Sequence, residues 1–458
     1  MYLLDAILAK PLHLQLYDAI KNDIIINLHV GDKLPSIRQL SHDYKISKTT
    51  VESAYAQLSI EGYIQSRAKS GYYVVDAEHE AFQSSQINML TKQKNAEDSL
   101  YDFFHARLDK DSFPLKLWKR LFVKAINETL DFGAYPSGQG ELGLRTQIAN
   151  YLIHSREVQC QVEQIIVLSG FLDSMSLVAK ILKKEFKTFA IEHPGYHVAR
   201  KIFEDFEYQI QNIEVDENGL SIKQLQNSDA KLVYITPSHQ YPTGVSMPIA
   251  NRLKLLNWAK SHEGYIIEDD YDSELSYRNR PIPSLQGLDN DDRVIYTGTF
   301  SKSLSPALRV SYLVLPFRLI PAYQKLFDFK MPRVSLSTQK TLELFMSEGH
   351  WQRHLRKIRT LNRKKHDIMK DALKHELKDT MKIISEGGGL SILIQPVCDF
   401  DWEKLKIKAK SAKINLYYAK EHSECETEGL FMGFGGFKED EIPHALKSFS
   451  KVWHECIK

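Results

Sequence analysis

A single lysine in a hydroxyl-rich turn constrains this chain most strongly. The segment from Ile295 to Pro316 reads IYTGTFSKSLSPALRVSYLVLP, with Lys302 at its centre and Arg309 seven positions later. A lysine amine can form a Schiff base with an aldehyde, while hydroxyls and a guanidinium bind phosphate through charge-assisted hydrogen bonds. The pattern suits a phosphorylated aldehyde, although a surface loop with one solvated lysine explains it equally well by itself. The hydroxyl residues of this turn are Thr297, Thr299, Ser301, Ser303 and Ser305.

An acidic segment lies 33 residues upstream of this turn. Gly264 to Leu275 begins as a short apolar strand and ends in the acidic run EDDYDSE. A carboxylate at the end of a buried strand, such as Asp269, can keep a pyridine nitrogen protonated, and Tyr271 can hydrogen-bond a ring hydroxyl. An acidic loop after a strand is the alternative interpretation.

Three motifs together resemble the aminotransferase-like half of the MocR family, which are regulators of the GntR class. The motifs are Glu268–Glu274, Thr236–Gly244 (TPSHQYPTG), and Thr299–Lys302 with Arg309. The resemblance implies a fold-type I α/β fold, with a large α/β domain and a small C-terminal α+β domain. It also implies that pyridoxal 5'-phosphate is the cofactor and that Lys302 carries it as an aldimine.

Further cofactor contacts follow from strands that end in turns. Ile165–Gly170 reads as a strand that opens a helix over 171–183, and N–H groups at a helix start bind phosphate well. Packing alone also explains a strand, a glycine and a helix. The resemblance adds Tyr196, stacked on the cofactor ring, and His239 beside it. The full set of predicted cofactor residues is Lys302, Asp269, Tyr271, Arg309, Thr299, Ser301, Tyr196, His239, Gly170, Phe171, Leu172 and Tyr135.

Tyr135 also carries the prediction of a homodimer. The segment Tyr135–Arg145 resembles the family motif in which a tyrosine approaches the phosphate of the partner subunit, with Ser137 and Gly138 at the usual Asp-Pro positions.

The N-terminal part of the chain reads as helix, turn, helix and hairpin. Apolar residues recur at helical spacing up to Ile26, and Ser36 and Ser47 are N-cap candidates for two further helices. Short polar and basic groups on the first turn of the third helix, opposite an apolar face, suit the DNA major groove. A small helical core is the alternative.

The segments LPSIR, EGY and SGY resemble the GntR winged helix in order and spacing. This resemblance implies binding to double-stranded promoter DNA. Glu52 departs from the family, since some members have arginine there. The predicted DNA contacts are Ser36, Arg38, Ser47, Lys48, Thr49, Thr50 and Arg67.

The predicted domains are a winged helix-turn-helix unit over 1–76, a polar linker over 77–100 and an aminotransferase-like domain over 101–458. Alternating strands and helices after residue 100 predict a parallel sheet, and the basic stretch over 349–377 predicts an amphipathic helix.

Composition places few further limits on function. The net charge is only +2, so any DNA-binding surface is local, and the four scattered cysteines argue against a zinc site or a disulfide framework. No apolar run approaches membrane-spanning length, so we expect no membrane segment. The scattered cysteines suit a reducing cytoplasm, and we expect a cytoplasmic protein without a metal.

Phe431 bears on whether the chain is an enzyme. It occupies the position at which aminotransferases commonly carry an arginine that holds the substrate carboxylate. The leading hypothesis is therefore a regulator that responds to pyridoxal phosphate, with vitamin B6 synthesis as its target. A catalytic aminotransferase, a regulator that senses an amino acid or amine, and a dimerisation platform without ligand stay open.

Overall fold

The computed structural model describes residues 2, 4–5, 10–68, 70–75, 99–129, 133, 135–277, 282–326, 333–423 and 428–458. The chain divides into two compact units, residues 1–95 and 96–458. Residues 77–98 of the predicted linker lie outside the described residues.

The first unit is a three-helix core with a β-hairpin. Ser36 and Ser47 cap the second and third helices by accepting the N–H groups of Gln39 (3.2 Å) and Thr50 (3.1 Å), as the sequence predicts. The hairpin strands pair antiparallel, with Arg67 opposite Gly71 and Ile64 opposite Val74. The elements are α1 Leu12–Ile26, α2 Ile37–Asp43, α3 Lys48–Ile60, β1 Ile64–Arg67 and β2 Gly71–Val74.

The second unit is built on an eight-stranded sheet. Its strands are β4 Ile165–Leu168, β5 Thr188–His193, β6 Gln209–Asp216, β7 Gly219–Leu220, β8 Leu232–Ile235, β9 Tyr265–Asp270, β10 Val294–Thr299 and β11 Ser311–Val314. They lie in the order β4-β11-β10-β9-β8-β5-β6-β7. Strands β4, β8 and β11 are buried along their length, which explains their largely apolar sequences.

The sheet is mixed, so the prediction of a parallel sheet was only partly right. Strands β10, β9, β8, β5 and β6 are parallel, whereas β11 runs antiparallel between β4 and β10. The turn with Lys302 connects β10 to β11 directly, and so short a connection reverses the chain.

Helices cover the large sheet, and apolar clusters fill both of its faces. Before the long helix, the helices are α4 Leu115–Thr129, α5 Leu142–Arg156, α6 Phe171–Leu182, α7 His197–Asp205, α8 Ile222–Gln226, α9 Ile249–Ser261, α10 Ile320–Leu326 and α11 Leu336–Ser347. The predicted amphipathic helix is α12, His350–Leu377. Its first half packs in the large-domain core through Trp351, and its second half packs in the small-domain core through Met369.

The small domain follows α12 and packs helices on a four-stranded antiparallel sheet of order β12-β13-β16-β15. A short strand from the start of this unit, β3, pairs in parallel with β14. No helix among the described residues is both long and apolar enough to cross a bilayer. The remaining elements are β3 Tyr101–Asp102, β12 Met381–Ser385, β13 Ser391–Pro396, α13 Trp402–Ser411, β14 Ile414–Asn415, β15 Tyr417–Tyr418, α14 Ala419–Ser423, β16 Leu430–Gly433 and α15 Glu441–His454.

Candidate functional site

A cavity of about 960 Å³ opens where the central strands of the large sheet end. Asp269 on β9 pairs in register with Thr297 on β10, so both line it. Carboxyl ends of parallel strands are the usual place for ligands in such sheets. The predicted residues that line the cavity are Lys302, Asp269, Tyr271, Arg309, Thr299, Ser301, Tyr196 and Phe171.

Asp269 is the buried acid of this cavity. Only 6% of the residue is exposed, and it accepts a 2.5 Å hydrogen bond from the Tyr234 hydroxyl. Burial raises the pKa of Asp269 to about 7, partly opposed by that hydrogen bond. The charged carboxylate therefore lacks a full counter-charge in the protein, and a cationic ring nitrogen would supply one.

Lys302 reaches the same cavity from the turn after β10. Its Nζ lies 4.2 Å from the centre of the Tyr271 ring. Burial lowers the pKa of Lys302, and the negative charges of Asp272 and Asp269 oppose the shift. A lowered pKa increases the fraction of neutral amine near pH 7, which is the nucleophilic form.

Tyr271 is held in place by His239, which lies behind it and does not line the cavity. The Tyr271 hydroxyl donates to the His239 carbonyl at 3.0 Å, and His239 Nδ1 lies 2.9 Å from Asp272 Oδ2. Asp272 is 4% exposed, and although burial opposes it, the charge of His239 lowers the pKa of this carboxyl. Asp272 was missed by the sequence analysis, although it lies in the same acidic run.

Arg309 and Gly170 form the predicted phosphate end. Gly170 has a φ of +101°, which favours glycine, and a side-chain methyl built on it would force the guanidinium of Arg309 to move. Ser301 N–H donates to Thr299 Oγ1 at 3.1 Å, which keeps these hydroxyl residues together. The side chains of this end thus leave a cradle that a side chain at position 170 would fill.

The backbone of Gly170 plays a different part from the predicted one. Its N–H donates to Ser311 Oγ at 3.0 Å, so it is already satisfied by the protein. Phe171 and Leu172 begin α6 at a position where N–H groups have no partner within the helix. Leu172 is 53% exposed and is not among the residues that line the cavity.

Tyr196 and Tyr135 are placed very differently. The Tyr196 ring packs edge-on against Phe171 at 5.1 Å, and burial raises its pKa to about 12. Tyr135 is 82% exposed. Tyr135 does not line this cavity within one chain, and its predicted contact with a partner subunit stays a prediction.

The cavity also has a wall of three aromatic residues, of which the sequence analysis missed His105 entirely. His105 and Tyr241 line it, and Phe431 lies behind them, 3% exposed. The Phe431 ring centre is 4.9 Å from that of His105 and 5.6 Å from that of Tyr241. His105 lies nearly 200 residues before Lys302, and no motif around it signalled a site.

In the first unit most of the predicted DNA contacts are exposed. Arg38, Lys48, Thr49 and Arg67 are exposed, at the starts of α2 and α3 and on the hairpin. Ser36 and Ser47 are exposed but cap their helices, and the Ser47 hydroxyl also bonds the hydroxyls of Thr49 (2.7 Å) and Thr50 (2.8 Å). The capping bonds fix the helix starts that carry the basic groups.

Comparisons with known proteins agree with this two-part organisation. Residues 12–74 match the model of bacterial regulatory proteins of the gntR family, and residues 106–396 match that of aminotransferase class I and II. The uncharacterized HTH-type transcriptional regulator YdeL of Bacillus subtilis is 38% identical over 97% of both chains. The probable rhizopine catabolism regulatory protein MocR of Rhizobium meliloti is 29% identical over 99% of this chain and 96% of its own.

Solved structures show the same fold for the second unit. Kynurenine aminotransferase of Pyrococcus horikoshii superposes with a TM-score of 0.68, at 23% identity over 79% of this chain and 92% of its own. The multiple substrate aminotransferase of Thermococcus profundus gives 0.69, at 21% identity over 80% of this chain and 96% of its own.

Fold, site and matches define a transcription regulator with a gntR-type DNA-binding unit followed by an aminotransferase-like domain. The chain belongs to the MocR family. Its cofactor is pyridoxal 5'-phosphate, and the residues present fit it: a partly buried lysine, a buried acid without full counter-charge and a cradle beside an arginine.

Proposed function

We propose that this protein binds promoter DNA through its first unit and changes that binding when pyridoxal phosphate attaches covalently to Lys302. The observation that carries the proposal is the position of the Lys302 amine against the Tyr271 ring, in a cavity that Asp269 also lines. When bound, the cofactor supplies an aldehyde that condenses with an amine. Two lysines line this cavity among the described residues. Lys110 is exposed, whereas Lys302 is partly buried.

Each remaining residue of the site has a proposed role in holding the cofactor. Asp269 faces the ring nitrogen and Tyr271 the ring hydroxyl, while Tyr196 packs on the ring. Arg309, Thr299, Ser301 and the N–H groups of Phe171 and Leu172 bind the phosphate, and Gly170 leaves room for Arg309. His239 orients Tyr271 through its carbonyl. Tyr135 reaches the phosphate of the partner subunit in a homodimer.

The proposed target is control of vitamin B6 synthesis in the cytoplasm. The HTH-type pyridoxine biosynthesis transcriptional regulator PdxR of Corynebacterium glutamicum is 29% identical over 92% of this chain and 91% of its own. A regulator of that synthesis needs a site for the end product, and the Lys302 cavity supplies one.

A gel-shift series with DNA from upstream of vitamin B6 synthesis genes tests this proposal. We expect added pyridoxal phosphate to change the affinity or the bend of the complex for the native chain but not for Lys302→Ala. Lys187→Ala, at an exposed lysine of the same unit, is the matched control and should respond like the native chain. The proposal fails if the native complex is unchanged by saturating cofactor.

The alternative function is a catalytic aminotransferase, because Lys302 and Asp269 would serve it equally. Incubation of the cofactor-loaded protein with a panel of amino acids separates the two. Steady formation of a keto acid would support the enzyme, whereas a regulator should show none above a Lys302→Ala control.

A further inference from the structure

The cavity extends beyond Lys302 to a wall of aromatic rings. Tyr241 packs edge-on against Tyr271, with ring centres 6.3 Å apart, and Tyr271 lies against Lys302. His105 is the next ring along, 6.5 Å from Tyr241. Phe431 supports both rings from behind, nearly parallel to Tyr241 at 14°. The wall therefore adjoins the proposed cofactor position and offers flat apolar surface to a ligand.

Two polar atoms of this wall have no partner. Among the described residues, neither His105 Nδ1 nor the Tyr241 hydroxyl makes a hydrogen bond, although both atoms are buried. A buried polar atom without a partner is costly, and such atoms in folded proteins call for an explanation. A ligand that carries its own hydrogen-bonding group would satisfy them.

The wall is uncharged. Burial, and then the positive charge of Lys302, lower the pKa of His105 to about 3, so its imidazole is neutral at physiological pH. Burial raises the pKa of Tyr241, so its hydroxyl stays protonated. Neutral groups of this kind can hydrogen-bond a hydroxyl or carbonyl, but they bring no counter-charge that would offset the burial of an anion.

The cations that line this cavity are already assigned or exposed. Lys302 and Arg309 hold the cofactor in the proposed function, and Lys110 is exposed. Arg107 donates to Asp102 at 2.7 Å, and its side chain is 53% exposed. Asp102 is further held by the Tyr417 hydroxyl at 2.9 Å, so the ion pair is itself anchored. A buried carboxylate without a partner is strongly disfavoured.

We propose that His105 and Tyr241 form a second ligand subsite, which takes an aromatic ligand with an uncharged hydrogen-bonding group and rejects the carboxylate of an amino acid. The regulatory role of this subsite rests on the proposed function, because the subsite adjoins the cofactor position. Occupation by such a ligand would itself be detectable without the cofactor.

Calorimetry on the full-length chain tests the subsite with defined probes. Para-ethylphenol, which has no amine and no carboxylate, should bind with and without pyridoxal phosphate. Tyramine and tyrosine differ only in the carboxylate, and tyramine should bind the loaded protein with a dissociation constant at least about tenfold lower. Tyrosine binding as tightly as tyramine would overturn the proposal.

A conservative variant and a matched control test whether the wall binds para-ethylphenol. Tyr241→Phe keeps the ring and removes a hydroxyl that bonds to no described residue, so the variant should fold normally and weaken para-ethylphenol about fivefold or more. The matched control is Tyr208→Phe, because the Tyr208 hydroxyl donates to the Ala179 carbonyl at 2.8 Å in a separate apolar cluster. An unchanged affinity in Tyr241→Phe would contradict the subsite.

The visible band of bound pyridoxal phosphate, read in the same samples, separates this inference from the proposed function. A cofactor band without binding of para-ethylphenol or tyramine overturns the subsite alone. Binding of para-ethylphenol without any cofactor band leaves the subsite standing and overturns the proposed function.

Discussion

The Tyr234 hydroxyl donates to Asp269 Oδ2 at 2.5 Å, inside a cavity where the acid is only 6% exposed. Because burial raises the pKa of Asp269 from 3.8 to about 7, the folded cofactor-free protein binds a proton that the unfolded chain releases. The associated stability is complete below the unfolded pKa and is lost as the pH rises towards about 7. Burial also raises the pKa values of three glutamates to about 7, and these shifts lower stability with rising pH in the same way. The glutamates are Glu192, Glu268 and Glu274.

We therefore expect the free energy of unfolding of the cofactor-free protein to fall between about pH 4 and about pH 7. Asp269→Asn should remove on the order of 4 kcal/mol of that fall, since the pKa of Asp269 is raised by about three units and one unit corresponds to about 1.4 kcal/mol. All 5 tryptophans lie in the second unit, so tryptophan fluorescence in urea reports on that unit alone. Asp229→Asn, at an exposed acid, is the control. Identical pH profiles for native and Asp269→Asn protein would contradict the burial argument.

Gly170→Ala should disrupt the cradle beside Arg309. The added methyl would overlap the guanidinium, and φ is positive there, so we expect cofactor affinity to fall at least about tenfold and stability by about 1–3 kcal/mol. Gly349→Ala is a matched control, because Gly349 also has a positive φ (+72°) but no atom near the added methyl. It should lose stability while retaining cofactor affinity. Equal affinity losses in both variants would show that the cradle is unimportant.

The local features of the fold were predictable from the sequence, because they depend on neighbouring residues. Ser36 and Ser47 cap the helices that their positions predicted, and α12 follows its apolar periodicity. The antiparallel direction of β11 was not predictable from alternation, since strand direction is decided by pairing across the sheet. Periodicity describes a single element and contains no information about its neighbours.

The candidate site was predictable where a motif carried it. Lys302, Asp269, Tyr271 and Arg309 meet in one cavity, as proposed from their motifs. His105 was missed, because it reaches the site through long-range packing and carries no local signal. Likewise, the bond between Gly170 N–H and Ser311 joins residues 141 positions apart, so a local strand-to-helix pattern could not reveal it.

A buried ion pair next to the site gives a prediction about stability. Arg156 Nε donates to Asp270 Oδ2 at 2.7 Å, and the two side chains are 2% and 3% exposed. Removing one partner leaves an uncompensated buried charge, so Arg156→Met should cost about 3–5 kcal/mol. The double variant Arg156→Met with Asp270→Asn should recover part of that loss in urea unfolding. A single variant as stable as the native protein would contradict this assignment.

The DNA surface predicts a dependence on salt. Arg38→Gln and Lys48→Gln should each weaken promoter binding and reduce the slope of log K against log salt by about 0.9, the value for one phosphate contact. Fluorescence anisotropy over a range of salt concentrations measures this slope. Lys184→Gln, at an exposed lysine of the second unit, should leave it unchanged. A native slope in both Arg38 and Lys48 variants would place the DNA surface elsewhere.

The visible spectrum of the purified protein with pyridoxal phosphate, before and after borohydride, tests the central claim most directly. The account predicts a visible absorption band for the native chain, its loss on reduction and a peptide of increased mass that contains Lys302. Lys302→Ala should give neither band nor labelled peptide. A colourless native protein in excess cofactor, or a label on another lysine, would contradict the account.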